Sequence, residues 1–182
     1  MISLRTKDEV TLPASKRLFA LADDPAGIIA LEEGEIEKLI YPAGFYRTKA
    51  RSIKEVAGII IEQYGGRVPN SVDELTTLPG VGRKTANLVL NLGFGLPAIC
   101  VDTHVHRISN RFGWVATKTP HQTELALEAI LPRQHWIEIN ELLVGYGQKV
   151  CAPISPRCSE CPFIGLDAGA PHCARVGVDR SR

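Results

Sequence analysis

The chain has 182 residues, of which 45% are hydrophobic and 23% charged, with 21 Lys and Arg against 20 Asp and Glu. This length suits one compact domain or two small lobes, and the apolar content excludes a disordered tail protein. No apolar run approaches the roughly 20 residues that cross a bilayer, which excludes an integral membrane protein. No basic-then-apolar leader opens the chain, so we expect a cytoplasmic or nucleoid protein, or a nuclear or organellar one in a eukaryote.

The apolar spacing is helical along most of the chain and nowhere shows sustained period-two alternation, which predicts an all-α fold. Helices are predicted around residues 10–21, 36–40, 53–64, 73–78, 88–92, 105–112, 125–131 and 136–146. Thr6, Asp102 and Thr119 are the predicted N-caps of the helices at 10–21, 105–112 and 125–131. Gly65-Gly66 is predicted to end the helix at 53–64. From residue 151 onward the periodicity fades, which indicates a loop held by a ligand.

Charge is unevenly distributed, although the net charge is only +1. Residues 45–118 hold ten Lys and Arg against five Asp and Glu, whereas residues 1–44 hold five against eight. A balanced protein can therefore present one positive stretch, which is what phosphate binding needs.

A glycine hairpin is the most informative local feature, and it has the sequence Leu78-Pro-Gly-Val-Gly-Arg-Lys84. Glycines allow positive φ and leave backbone N–H groups uncovered, and a helix that begins after them adds a partial positive charge. Such a turn can bind a DNA phosphate through backbone contacts that carry no sequence information. A tight turn without a ligand is the alternative, and the order of residues excludes a P-loop.

Two charged residues near this hairpin are candidates for chemistry. The helix dipole opposes the charge of Lys84, and partial burial would favour its neutral amine, which could attack an aldehyde carbon. A solvated lysine or a phosphate clamp are the alternatives. Asp102 fits a helix cap, and its carboxylate could also stabilise positive charge on a sugar ring or take protons.

Four of the five cysteines are clustered near the C-terminal end, at Cys151, Cys158, Cys161 and Cys173. Clustering without a leader peptide favours a metal site over disulfides. Four thiolates suit a [4Fe–4S] cluster and equally a zinc site. Cys100 lies in an apolar run and is predicted to be buried and inert.

The runs LPGVGRKTAN (78–87) and VDTHVHR (101–107) resemble the helix-hairpin-helix DNA glycosylases, and specifically the endonuclease III family. The similarity extends from Ser3 to about Cys161. It implies a helical barrel lobe and an iron–sulfur cluster lobe, with DNA lying across the cleft between them. It also implies a base excision repair enzyme that removes oxidised pyrimidines and then cuts the strand 3′ to the abasic site by β-elimination. The N-terminal helix of the family has no counterpart before Ser3.

The resemblance gives roles to single residues. Lys84 would be the Schiff-base nucleophile on the sugar C1′, and Asp102 the carboxylate that assists base loss. Phe45 matches an apolar wedge, with core packing as the alternative, and Arg5 stands where the family usually has a Gln that fills the space left by a flipped base. The other predicted DNA-binding residues are Gly80, Val81, Gly82, Arg83 and His104.

The spacing Cys151-x6-Cys158-x2-Cys161 reproduces the first three ligands of the family's cluster loop, which favours [4Fe–4S] over zinc. Cys173 would complete the site if the loop over residues 162–172, longer than in the family, bulges outward. The alternative is that the fourth ligand is missing, with His172 as a weak substitute. On this template we predict a barrel lobe over 1–118, with the hairpin at about 71–92, and C-terminal helices and a cluster loop over 119–182. We expect a monomer that binds double-stranded DNA containing damaged bases or abasic sites.

Two other functions remain open. A related adenine glycosylase is disfavoured because Lys84 supplies a lyase amine and no recognition domain follows the cysteines. A non-catalytic DNA-binding protein would use the hairpin and the cysteines only as a scaffold.

Overall fold

The computed structural model describes residues 1–164 and 173–182, and every regular element in these ranges is helical. This confirms the predicted all-α class. The helices are α1 Asp8–Phe19, α2 Pro25–Ala30, α3 Glu33–Ile40, α4 Tyr46–Tyr64, α5 Val72–Thr77, α6 Arg83–Phe94, α7 Thr103–Phe112, α8 Pro120–Ile130 and α9 Ile139–Lys149. Single 3₁₀ turns lie at Arg133–His135 and Cys158–Glu160. Within the described ranges, no helix is both long and apolar enough to cross a membrane.

The chain divides into two compact units, Met1–Ala86 and Asn87–Arg182, and the division falls within α6. These units are defined by packing alone. The functional lobes predicted for residues 1–118 and 119–182 therefore stay a prediction.

The first unit packs α4 against α2 and α3, and α3 against α1. Ile36 and Ile40 are one helical turn apart on α3, so both lie on the buried face, where they join Leu18 of α1 and Ala50 of α4. Gly65 ends α4 in a left-handed conformation with φ +58°, as predicted.

Two sequence predictions fail in the first unit. Thr6 is not a cap, because Lys7 precedes α1 and the Thr6 hydroxyl accepts hydrogen bonds from outside the helix. Helix α2 was missed, although its start carries a clear signal: the Asp24 side chain accepts from the backbone N–H of Gly27, and Pro25 occupies the first helical position.

The second unit has a core of Ile99, Val105, Ile108, Leu127 and Leu143. These side chains lie where α7 packs against α8 and α9. The Thr119 side chain accepts from the backbone N–H of Gln122 at 3.2 Å, which confirms it as the cap of α8. Trp136 lies before α9 rather than within it, because its indole N–H donates to the carbonyl of Leu131 at 2.9 Å.

Helices α7 and α9 cross closely at Gly147. A Cβ atom at this position would lie 2.9 Å from Arg107 Nη2 and from Ile108 Cδ1, and it would also collide with the ring of His104. The missing side chain therefore sets how closely these two helices approach.

Candidate active site and cysteine cavity

The predicted hairpin forms between α5 and α6. Helix α5 ends before buried Leu78, Gly80 turns the chain with φ +73°, and the Val81 N–H donates to the Leu78 carbonyl at 3.0 Å. Gly82 follows, and a Cβ atom there would meet nothing within 4 Å. The hairpin backbone is therefore open to a ligand on this side.

Lys84 lies in the first turn of α6, as predicted, and the residue is exposed. Arg83 beside it is half-buried. Lys84 is therefore an exposed residue that directly follows the hairpin.

Asp102 is the N-cap of α7, as predicted. Its Oδ1 accepts from the backbone N–H groups of His104 at 2.8 Å and Val105 at 2.9 Å. Both bonds go to the same oxygen, so Oδ1 has a structural role and the cap does not use Oδ2. Lys84 belongs to the first unit and Asp102 to the second, so their joint action stays a prediction.

The segment that leads into Asp102 is fixed by buried asparagines that the sequence analysis did not identify. Asn87 Nδ2 donates to the Ile99 carbonyl at 2.9 Å, and Asn91 exchanges two hydrogen bonds of 3.0 Å with the backbone of Ala98. The signal was present, since two amides four residues apart on an apolar helix share one face. Cys100 in the same segment is fully buried, as predicted.

His104 connects this cap to the cysteine loop. Its Nδ1 accepts from Arg107 Nη2 at 3.1 Å, and the same Nη2 donates to the carbonyl of Cys151 at 2.9 Å. Burial, followed by the charge of Arg111, lowers the pKa of the Arg107 guanidinium. DNA binding by His104 stays a prediction.

Arg5 and Phe45 lie together on the surface of the first unit. The Phe45 side chain is 64% exposed, so its alternative role in core packing is wrong. The guanidinium carbon of Arg5 is 5.7 Å from the centre of the Phe45 ring, which is cation–π distance. Two residues that are forty positions apart thus form one exposed pair.

Several Lys and Arg residues of the positive stretch over residues 45–118 are paired with carboxylates or buried, so fewer of them can bind phosphate than the composition suggests. On α4, Arg47 is 3.8 Å from Glu37, Arg51 is 3.6 Å from Glu33, and Lys49 is buried. Arg111 of α7 is also buried and donates to the carbonyls of Ala152 and Pro153. Several of these cations therefore have structural roles.

All four clustered cysteines line one cavity that is partly open to solvent. Arg111 Nη1 donates to Cys151 Sγ at 3.4 Å, and the Tyr146 hydroxyl is 2.8 Å from Cys161 Sγ. Cys173 Sγ donates to the carbonyl of Arg111 at 3.6 Å, and burial raises the pKa of its thiol. A positive charge and a hydroxyl beside the sulfurs of Cys151 and Cys161 suit a site that holds thiolates.

Aromatic rings of Phe112, Tyr146 and Phe163 form a mutually packed group with centre-to-centre distances of 5.3–5.9 Å. Phe112 and Tyr146 also line the cavity. Within the described residues, no three His, Cys, Asp or Glu side chains converge closely enough to hold a single metal ion. Most of the predicted loop, including His172, lies outside the described residues.

Comparison with known proteins gives consistent matches. The family model described as "HhH-GPD superfamily base excision DNA repair protein" matches residues 1–133. The chain is similar to endonuclease III of Thermotoga maritima, with 51% identity over 88% of this chain and 76% of that protein. It is 46% identical to endonuclease III-like protein 1 of Gallus gallus and spans 58% of that protein. Its structure is similar to a trapped endonuclease III–DNA covalent intermediate, with a TM-score of 0.82, 40% identity, and coverage of 88% of this chain and 76% of that one.

Proposed function

Because this chain belongs to the endonuclease III family of the HhH-GPD superfamily, it is a base excision repair DNA glycosylase and abasic-site lyase, and we propose that Lys84 and Asp102 carry out its chemistry. We propose oxidised pyrimidines in double-stranded DNA as its substrates. The observation that carries the proposal is the place of Lys84, an exposed residue in the first turn of α6 directly after an open glycine hairpin.

In the first step, the lone pair of Lys84 Nζ forms a bond to the sugar C1′ while the glycosidic bond breaks. The damaged base leaves with the bonding electrons and takes up a proton. The transition state has positive charge on the sugar, and the Asp102 carboxylate stabilises it through the oxygen that the helix cap does not use.

In the second step, Nζ loses one of its protons, the C1′–O4′ bond breaks, and O4′ takes up a proton. This opens the sugar ring and leaves a protonated Schiff base between Nζ and C1′. The iminium acidifies C2′–H, so a base removes this proton and the electrons form a C2′–C3′ double bond. The C3′–O bond breaks, and the 3′ phosphate leaves as the strand is cut. Water then hydrolyses the Schiff base and restores the amine.

DNA is positioned by two surfaces of the first unit. The backbone N–H groups around Gly80–Gly82 bind a phosphate oxygen at the start of α6, where the helix dipole favours an anion. Arg5 and Phe45 enter the duplex and fill the space left by the flipped base.

The cysteine cavity would hold a [4Fe–4S] cluster through Cys151, Cys158, Cys161 and Cys173. When bound, the cluster supplies four metal–thiolate bonds that fix the C-terminal loop. Segment 173–176 already returns to α7, since the Ala174 N–H donates to the Phe112 carbonyl at 3.2 Å. No step of the reaction depends on the cluster.

Borohydride trapping on a duplex with an abasic site tests the proposal. The parent protein is expected to form a covalent adduct, and Lys84→Gln to form none while keeping salt-sensitive duplex binding. Lys38→Gln, which removes an exposed helical lysine elsewhere in the first unit, is the matched control and is expected to trap like the parent. Trapping of Lys84→Gln at the parent level would contradict the assignment of the nucleophile.

The same experiment distinguishes the alternative functions. A monofunctional glycosylase would release the base from a lesion duplex without trapping, and a non-catalytic DNA-binding protein would do neither.

A further inference from the structure

Lys49 of α4 is a buried cation that takes no part in the reaction described above. Its side chain is 8% exposed in total, and its ammonium donates to the carbonyls of Ile2 at 2.7 Å and Leu4 at 2.5 Å and to the Thr6 hydroxyl at 2.8 Å. An ammonium has three protons, so all of them are used.

The acceptors of Lys49 belong to the turn that carries Arg5. The Thr6 hydroxyl accepts a second hydrogen bond at 3.1 Å from the backbone N–H of Gly44, the residue before Phe45. Gly44 permits this approach because a Cβ atom there would lie 2.7 Å from the Arg5 carbonyl oxygen. Lys49 and Thr6 therefore bind the two segments that carry Arg5 and Phe45 to each other.

Both residues of the exposed pair are in the left-handed region, with φ 52° for Arg5 and 57° for Phe45. Residues other than Gly, Asn and Asp rarely adopt this conformation, and it persists only where the surroundings enforce it. The hydrogen bonds of Lys49 and Thr6 go to the residues on either side of Arg5 and to Gly44, directly before Phe45.

We propose that Lys49 is a positioning residue that holds Arg5 and Phe45 as one preassembled wedge for insertion into the duplex. Without its ammonium, the Arg5 turn separates from the Phe45 loop, and the two side chains no longer enter the DNA together. The proposal rests on the proposed function, because the wedge is needed only if a base is flipped.

The test measures base flipping and base removal separately from folding. Lys49→Met keeps the length of the side chain and removes the three donors, and it is expected to slow single-turnover base removal from a lesion duplex roughly ten- to a hundredfold. The fluorescence rise of a 2-aminopurine placed beside the lesion should fall in parallel. Lys54→Met is the matched control, since Lys54 lies on the same helix but donates to the carbonyl of Leu31.

A double-mutant cycle separates positioning from general damage to the fold. If Lys49 acts through the wedge, Lys49→Met adds little to an Arg5→Ala/Phe45→Ala double variant. An undiminished additional loss in that background would overturn the proposal, as would a folded Lys49→Met that flips bases like the parent.

If Lys49→Met does not fold, Thr6 decides the question. Thr6→Val removes the hydroxyl that joins Lys49 to Gly44 and should slow base removal from the duplex, whereas Thr6→Ser keeps the hydroxyl and should behave like the parent. Equal rates for Thr6→Val and Thr6→Ser would overturn the proposal. Failure of the proposed function is distinct, since the parent itself would then neither flip a base nor form the trapped adduct.

Discussion

Asp102 combines a structural and a chemical role, and three substitutions separate them. Asn and Ser at this position keep an oxygen that can accept from the backbone N–H groups of His104 and Val105. Ala removes the acceptor altogether. All three remove the carboxylate oxygen that the cap does not use.

The expected stability changes follow from the cap. Loss of an N-cap acceptor costs about 1 kcal/mol, whereas Asn and Ser cap about as well as Asp and lose only the charge–dipole attraction of about 0.5 kcal/mol. For a chain of this size, 1 kcal/mol shifts the melting temperature by about 2–4 °C. Asp102→Ala should therefore melt about 2–4 °C below the parent, and Asp102→Asn within about 2 °C of it.

The rates of base removal by the three variants should not follow the order of their melting temperatures. All three variants should lose about 10²–10⁴-fold in single-turnover base removal, because none has a carboxylate to stabilise positive charge on the sugar. Thermal melting and quenched single-turnover assays on one lesion duplex give both quantities. If Asp102→Asn removed the base within threefold of the parent rate, or melted as low as Asp102→Ala, the division of roles between the two oxygens would be refuted.

Three further predictions concern packing, strain and the cysteines. Gly147→Ala should lower the free energy of unfolding in urea by about 1–3 kcal/mol, because the new Cβ atom collides with α7. Gly145→Ala is the control: its Cβ atom meets nothing within 4 Å, so the change should be neutral or stabilising. Equal effects of the two substitutions would contradict the close crossing of α7 and α9. Phe45→Gly should raise the free energy of unfolding by about 1 kcal/mol, since glycine adopts φ 57° freely. The same substitution should impair base flipping. A fall in the free energy of unfolding would refute backbone strain at this position. The protein is expected to hold about four iron atoms, and Cys173→Ser should lose iron and visible absorbance. Cys100→Ser is the control and should keep both. A full iron content in Cys173→Ser would exclude Cys173 as a cluster ligand.

Features that depend on neighbouring residues were predictable from the sequence. Asp102 and Thr119 cap their helices through backbone N–H groups two or three residues further along the chain, so the pattern contains both partners. The hairpin at Gly80–Gly82 was predictable for the same reason, because glycine at a turn has a local cause.

Features that depend on distant partners were not predictable. The expected cap at Thr6 failed because its hydroxyl binds Gly44 and Lys49, which lie 38 and 43 residues away. In the sequence, Lys49 is one of several cations in a basic stretch. In the structure, the segment that carries its hydrogen-bond acceptors packs over it and buries it. Charge counted along a sequence cannot separate a buried ammonium from one that faces DNA.

The place of Lys84 in the first turn of α6 was predictable from the sequence, whereas its exposure was not. Helical position follows from the local pattern, whereas exposure depends on what packs over the helix.

Peptide mapping of the borohydride-trapped adduct by mass spectrometry tests the central claim most directly. We expect one modified peptide, in which the reduced sugar is bonded to Nζ of Lys84. A sugar found on another lysine or on an α-amino group, with Lys84 unmodified, would contradict it.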